Sequence, residues 1–187
     1  DLFAVIGDAP FPIPRNWTWT KLGRVGDWGA GSTPPRSNSE FYGGEFTWLK
    51  SGELEDNQSL AGSEERVTKL AIERCSFRLN KPGDVLIAMY GATIGKLGML
   101  AEVAVTNQAV CGCTPAPCVS NKFLFTFLLS QRENFRNQSE GGEQPNISKV
   151  KIVSTPFALP PLAEQHRIVA KVDELMALCD QLEAQLT

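Results

Sequence analysis

The apolar positions in the last part of the chain follow a strict rhythm. Ile168, Val172, Leu175, Cys179, Leu182 and Leu186 are spaced 4, 3, 4, 3 and 4 residues apart, which puts them on one seam of a coiled-coil-type α-helix. Ala170, Ala177 and Ala184 fall on the outer face. Pro160-Pro161 opens this helix, because proline fits a first helical turn. At ~1.5 Å per residue, residues 162–187 extend about 39 Å, against a radius of gyration of roughly 16 Å for a compact chain of this length. Part of the helix is therefore expected to project and to need a partner along its seam. The alternative is that the whole stripe packs on its own domain.

The preceding residues show shorter and more mixed patterns. Residues 17–22 alternate in strand fashion. The run 29–40, rich in Gly, Ser and Pro, reads as a loop. Residues 46–50 read as a short strand, and Ser63 as the N-cap of a helix over 64–74 with Val67, Leu70 and Ala71 on one face. Residues 76–79 are extended, 81–84 turn, and 84–90 form a buried strand that Gly91 ends. Further strands fall within 94–105. Residues 106–111 lead into a turn at Pro115 and Pro117. Ser120 caps a helix over 121–137, with Phe123, Leu124, Phe127 and Leu128 inside and Gly141-Gly142 as its breaker. Residues 146–149 start a helical turn, and 152–159 are extended. The fold class is α+β: a mixed twisted sheet with short helices, followed by the long helix. Residues 1–16 form an entry linker with Pro10, Pro12 and Pro14, residues 17–158 the domain, and residues 159–187 the helix.

Composition narrows the class. The 187 residues are 42% hydrophobic and 21% charged, enough for a core and near the globular average. No apolar run approaches the ~20 residues of a membrane span. The start lacks a basic signal region and an initiator Met, so the chain is expected to be a fragment of a longer protein. Five Cys, an odd number, argue against a disulfide framework and for a reducing, cytoplasmic setting. Residues 1–161 carry 16 charges of each sign, and the last 26 carry two basic and five acidic ones. Bulk charge announces no nucleic-acid partner, although residues 66–96 hold six basic residues against two acidic ones.

Several chemistries are missing. Gly91-Ala-Thr-Ile-Gly-Lys96 follows a strand like a phosphate-binding loop, but its glycines are one residue too close and Leu97 stands where Ser or Thr would hold magnesium. A turn with positive φ at Gly91 and Gly95 is the simpler reading. Cys111, Cys113 and Cys118 lack the spacing of a zinc site and read as strand and core residues, so no metal is expected. His166, the single histidine, falls in the first turns of the terminal helix, far from any nucleophile. No S-adenosylmethionine loop or base-methylation signature is present. The chain is not expected to be an enzyme by itself.

The tail Leu159-Pro-Pro-Leu-Ala-Glu-Gln-His-Arg-Ile-Val-Ala-Lys-Val-Asp-Glu-Leu-Met-Ala-Leu-Cys-Asp-Gln-Leu-Glu183 resembles the conserved helical region of type I restriction-modification specificity subunits. Pro12-Ile-Pro-Arg-Asn-Trp17, Gly31-Ser-Thr-Pro34, Lys81-Pro-Gly-Asp84, Thr106-Asn-Gln-Ala109 and Gln144-Pro-Asn-Ile-Ser148 extend the resemblance over nearly the whole chain. It implies a DNA target recognition domain that reads one half of a bipartite site in double-stranded DNA. It also implies a helix that packs antiparallel on a second conserved helix and docks the methylation subunit. The methylation subunit would bring S-adenosylmethionine, so this chain needs no cofactor, and a restriction subunit would join through the complex. With one domain and one helix, the chain resembles half of such a subunit. A second copy, giving a homodimer, could take the place of the missing helix.

Candidate DNA contacts lie in polar loops, where Asn and Gln can pair with adenine and Arg or Lys with guanine. They are Ser32, Thr33, Arg36 and Asn38; Lys50 and Ser51; Tyr90, Thr93 and Lys96; and Gln144, Asn146, Ser148 and Lys149. Asn107 and Gln108, in a strand-like run, are expected to satisfy buried backbone instead. The candidate assembly residues are Ile168, Val172, Leu175, Cys179, Leu182 and Leu186. The competing reading is a protein-interaction module that uses the helix and never reads DNA. Convergence of Arg36, Lys50, Lys96 and Lys149 on one face would favour DNA.

Overall fold

Val85–Ala88 (β6) is apolar at every position, and all four residues are buried. Side chains alternate across a strand, so a strand covered on both faces serves two cores. Val85 and Ile87 join the larger core, while Leu86 and Ala88 join a second one with Leu49, Leu54, Leu60 and Leu100. The computed structural model describes residues 9–140 and 145–186, the side chain of Leu186 excepted.

Around β6 runs a five-stranded sheet. Its other members are β2 (Gly26–Ala30), β4 (Asn57–Leu60), β7 (Leu97–Leu100) and β9 (Val110–Pro115), in the order β2-β9-β6-β7-β4. The β4-β7 pair is parallel and the other pairs are antiparallel. A three-stranded sheet holds β3 (Tyr42–Leu49) between β5 (Arg66–Val67) and β8 (Ala104–Thr106), with β3 and β8 parallel. Trp48, Val67, Ala71 and Val105 form its own small core. A third ladder pairs β1 (Thr18–Lys21) with β10 (Pro156–Leu159), so the first and last strands of the body close on each other. The architecture is the expected α+β fold with a mixed sheet arrangement and a long terminal helix.

The larger core is covered by α2 (Asn121–Ser130), α3 (Arg132–Asn137), α4 (Lys149–Ser154) and the base of α5 (Leu162–Leu186). Phe123, Phe127 and Phe157 meet edge to face there, with centroids 5.8 Å and 4.7 Å apart. Ser120 caps α2 by accepting the Phe123 N–H. The expected continuous helix over 121–137 is interrupted at Gln131, whose backbone leaves helical geometry.

Other boundaries also differ from the sequence reading. The helix expected over 64–74 is α1 (Lys69–Arg74), capped by Thr68 rather than Ser63. Arg66 and Val67 are drawn into the ladder with β3, and Ser63 instead accepts the Trp48 N–H at 3.2 Å. Gly29 and Ala30 belong to β2 rather than to a loop, because they pair with Gly112 and Cys111. Residues 152–154 are helical rather than extended, because Ser148 caps α4. Gly91 and Gly95 adopt φ of 61° and 79°, as the turn between β6 and β7 requires.

Along α5, Gln165 and Val169 are buried and Ile168 and Val172 are half-buried against the body. Every residue from 173 to 185 is exposed, including Leu175, Cys179 and Leu182. The seam is thus divided: its first part rests on the domain and its later part is uncovered. Among the described residues no helix is long and apolar enough to cross a membrane.

Candidate nucleic-acid interface

Polar loops gather at one end of the sheets. Ala30 at the end of β2 pairs with Cys111, and Ala88 at the end of β6 pairs with Val110, the first residue of β9. The parallel strands β3 and β8 end together at Leu49 and Thr106. Backbone bonds stitch the loops that follow. Ser32 N–H donates to Thr106 O at 2.9 Å, and Asn107 N–H to Leu49 O at 2.9 Å. Met89 N–H donates to Ala109 O at 2.8 Å, Ile147 N–H to Met89 O at 2.9 Å, and Gly91 N–H to Pro145 O at 2.8 Å. Segments 31–36, 50–53, 89–96, 106–109 and 145–147 therefore form one continuous edge.

The predicted residues take different places on it. Ser32 is half-buried, and its carbonyl accepts the Trp48 Nε1–H at 3.1 Å. Thr33 is exposed and donates to Gln108 Oε1. Ser51 opens a single 3-10 turn, Ser51–Glu53. Tyr90 and Asn146 are exposed and bridged to each other, which joins two of the candidate loops. Thr93 donates to Tyr90 O at 2.7 Å and closes the turn that carries Lys96. Asn38 and Ser148 are used as caps, accepting Glu40 N–H and Lys151 N–H. Lys149 is exposed on α4. Gln144 lies outside the described residues.

Arg36 and Lys50 are not free points of positive charge. Arg36 makes a two-pronged pair with Glu65, Nη1 to Oε2 at 2.5 Å and Nη2 to Oε1 at 3.0 Å. Lys50 Nζ reaches the same Glu65 Oε1 at 3.1 Å and Glu64 Oε2 at 3.0 Å. The Arg36 hydrogen bond, followed by that of Lys50, holds the Glu65 carboxyl down at about 2. The same contacts raise Arg36 and Lys50 above their ordinary values. Arg36 also stands over the rings of Tyr42 and Trp48, at 4.6 Å and 5.2 Å from their centroids. Arg36 and Lys50 thus converge through Glu65. Lys96 and Lys149 sit on other elements, and neither forms an ion pair with a described residue.

Glu65 and Gln108 are not among the residues predicted to contact DNA. Glu65 lies 29 positions from Arg36, with no local sign in the sequence that the two meet. Gln108 was assigned to buried backbone, yet it is exposed on the edge. Asn107 does serve backbone, its Oδ1 accepting the Ala109 N–H at 3.1 Å. Cys111 and Cys113 line the larger core on β9, where burial pushes both thiols up, Cys111 to about 11. Cys118 is exposed in the turn beyond. Among the described residues no cluster of His, Cys, Asp or Glu could hold a metal.

The opposite end of β9 carries a different apparatus. Beyond Pro115 the chain passes Cys118 and Ser120, which hydrogen-bond to Gln165 at the base of α5. A cleft of about 420 Å³ lies there between Asp84, Thr114, Asn121 and His166. The loop edge and the helix base thus occupy opposite ends of one strand.

Comparison with known proteins matches residues 14–187 to the type I restriction modification DNA specificity domain. The chain is 26% identical over 162 residues to the type I restriction enzyme MjaIX specificity subunit of Methanocaldococcus jannaschii, covering 83% of this chain and 37% of that protein. It is 23% identical over 170 residues to the EcoR124I/EcoR124II specificity subunit of Escherichia coli, covering 88% of this chain and 42% of that protein. It therefore spans well under half the length of these relatives. The HsdS subunit of Thermoanaerobacter tengcongensis superposes on all of this chain and 43% of that one, with a TM-score of 0.76 at 22% identity. The S subunit from M. genitalium covers 93% of this chain with a TM-score of 0.59 at 16% identity. With nearly the whole chain matched by the family and the same fold in its structural neighbours, the protein belongs to the type I restriction-modification DNA specificity family.

Proposed function

We propose that this domain recognises one half of a bipartite sequence in double-stranded DNA for a type I restriction-modification complex. The observation that carries the reading is the separation along β9. Polar loops with exposed Thr33, Gln108, Tyr90 and Asn146 collect at its first end, and the base of a long helix is anchored at its last. Short polar side chains and backbone amides in such loops suit contacts to phosphates and base edges. The half-uncovered helix suits assembly. Its partners are a second conserved helix or a second copy of this chain, together with the methylation subunit. A restriction subunit joins through the complex. The chain itself performs no chemistry, S-adenosylmethionine belonging to the methylation subunit, and it works in the cytoplasm.

Genome-wide mapping of methylated bases tests this reading. The specificity subunit carrying this domain is compared with one whose segments 31–36, 89–96 and 106–109 are exchanged for those of a relative. One half of the methylated motif should change and the other half should stay. An unchanged motif would refute DNA reading by this edge. The isolated domain should bind DNA weakly and with strong salt dependence, because only half a site is contacted.

A further inference from the structure

We propose that Arg36 is a guanine-reading side chain, held in register by the Glu65 carboxylate and the Tyr42 and Trp48 rings, rather than a phosphate anchor. The proposal deepens the reading of the loop edge given above and rests on it. Three observations carry it.

The first is the donor count. An arginine has five N–H donors in one plane. Glu65 takes one from each terminal nitrogen, and no other described group accepts from Arg36. Three donors are left, including Nε–H and the second Nη2–H, which lie side by side on one edge. That edge is a complete fork for two acceptors, and the O6 and N7 atoms of guanine in the major groove present such a pair. The side chain is 59% exposed.

The second is the clamp. The carboxylate, the two aromatic faces and the loop itself are fixed together. Tyr42 Oη–H donates to Pro34 O at 2.6 Å, and Trp48 Nε1–H donates to Ser32 O at 3.1 Å. Trp48 is buried. The guanidinium plane is thus set before DNA arrives, which reduces the ordering cost of a directional contact.

The third is charge. Arg36 and Lys50 are balanced by Glu64 and Glu65, and Glu53 accepts the Lys50 N–H at 2.8 Å. A cluster with no net positive charge is a poor phosphate anchor, since phosphate affinity follows the number of charges neutralised. Glu65 is accordingly a positioning residue that also suppresses sequence-independent binding.

The test uses the specificity subunit carrying this domain, assembled with its methylation partners. Bound duplexes are selected from a random pool at several salt concentrations and sequenced. The expected result for Arg36→Ala and Arg36→Lys is loss of discrimination at a single G·C pair, by tenfold to a hundredfold, in the order of one bidentate contact. All other motif positions should persist. Lysine keeps the charge on Glu65, so the second variant separates loss of the fork from loss of the fold. Glu65→Gln should blur the same position and steepen the salt dependence of non-specific binding, by a slope of about one. An Arg36→Ala pool with every motif position intact overturns the proposal. So does a uniform loss of affinity with a shallower salt slope, which marks a phosphate contact. If Gln108→Ala alters the motif while Arg36→Ala does not, the edge reads DNA and this proposal alone falls. If the unmodified complex selects no motif, the reading of the edge falls with it.

Discussion

Ser120 donates its backbone N–H to Gln165 Oε1 at 2.8 Å, and this bond ties the base of the long helix to the turn before α2. Gln165 Nε2 donates to Cys118 O and to Pro160 O, each at 2.9 Å. The side chain is completely buried, so all three of its bonds are made inside the protein. Gln165→Leu keeps much of the volume but orphans the Ser120 N–H and two carbonyls. Each unsatisfied buried group costs about 1–3 kcal/mol. The expected outcome is a clear loss of stability in denaturant unfolding, with early hydrogen exchange at Ser120. An unchanged midpoint would mean that water replaces the carboxamide freely.

Glu65 gives the fold a pH dependence of known sign. Its carboxyl sits at about 2 in the folded protein, below its ordinary 4.5, chiefly through the Arg36 hydrogen bond. The unfolded state therefore binds this proton more readily. The stabilisation is complete above about pH 4.5 and is lost as pH falls toward 2. Asp27, Glu102 and Glu140 are also lowered, so acid unfolding of the wild type mixes several groups. The difference between the melting-temperature profiles of wild type and Glu65→Gln isolates one of them. That difference should be constant above pH 5 and shrink below it. A difference that grows on acidification would contradict the ion pair.

The later part of α5 predicts a separable assembly defect. Leu175 and Leu182 are 49% and 61% exposed, within the exposed stretch 173–185. Full burial of one such side chain is worth about 1.5–3 kcal/mol. Leu175→Glu with Leu182→Glu should leave the melting temperature of the body unchanged and abolish association with a second helix. Analytical ultracentrifugation of both proteins reads this directly. A wild type that stays monomeric at high concentration and does not bind the methylation subunit would refute the assembly role.

Which elements were legible in the sequence follows from where their determinants lie. β6 was visible from the apolar run after Asp84, although the strand stops at Ala88 rather than at Gly91 and Tyr90 is exposed, and α5 was visible because its rhythm is local. Ser120 stands where a cap is expected and is used as one, whereas Ser148, expected among the DNA contacts, caps α4 instead. The choice of Thr68 over Ser63 was not local, since it depends on Arg66 and Val67 pairing with β3. The break at Gln131 has no glycine or proline to announce it. Arg132 is drawn away to donate to Gly95 O at 3.0 Å and to pair with Asp56. The loops of the candidate site were marked by Gly, Ser and Asn, but the pairing of Arg36 with Glu65 spans 29 positions and two elements. Only the fold brings those charges together.

Gly31 is the point where the loop edge tolerates least. A Cβ there would lie 2.0 Å from Thr106 O and 2.2 Å from Thr106 Oγ1. The glycine N–H donates to Val110 O at 3.1 Å and the next residue's N–H to Thr106 O at 2.9 Å, so the two backbones must run in contact. Alanine at this position forces the 31–36 loop off the 106–109 segment. It thereby separates Thr33 from Gln108 and shifts the loop that carries Arg36. Overpacking of this kind costs about 1–3 kcal/mol, and for a chain of this size each kcal/mol lowers the melting temperature by about 2–4 °C. Gly31→Ala should therefore lower stability by that amount, and the half-site preference should be lost with it. Association through α5 should survive, because the helix base is anchored at the other end of β9. Thermal unfolding, selection of bound DNA and ultracentrifugation on the same variant measure the three effects. If DNA selection is unaffected while stability drops, the 31–36 loop supports the fold without contributing to recognition.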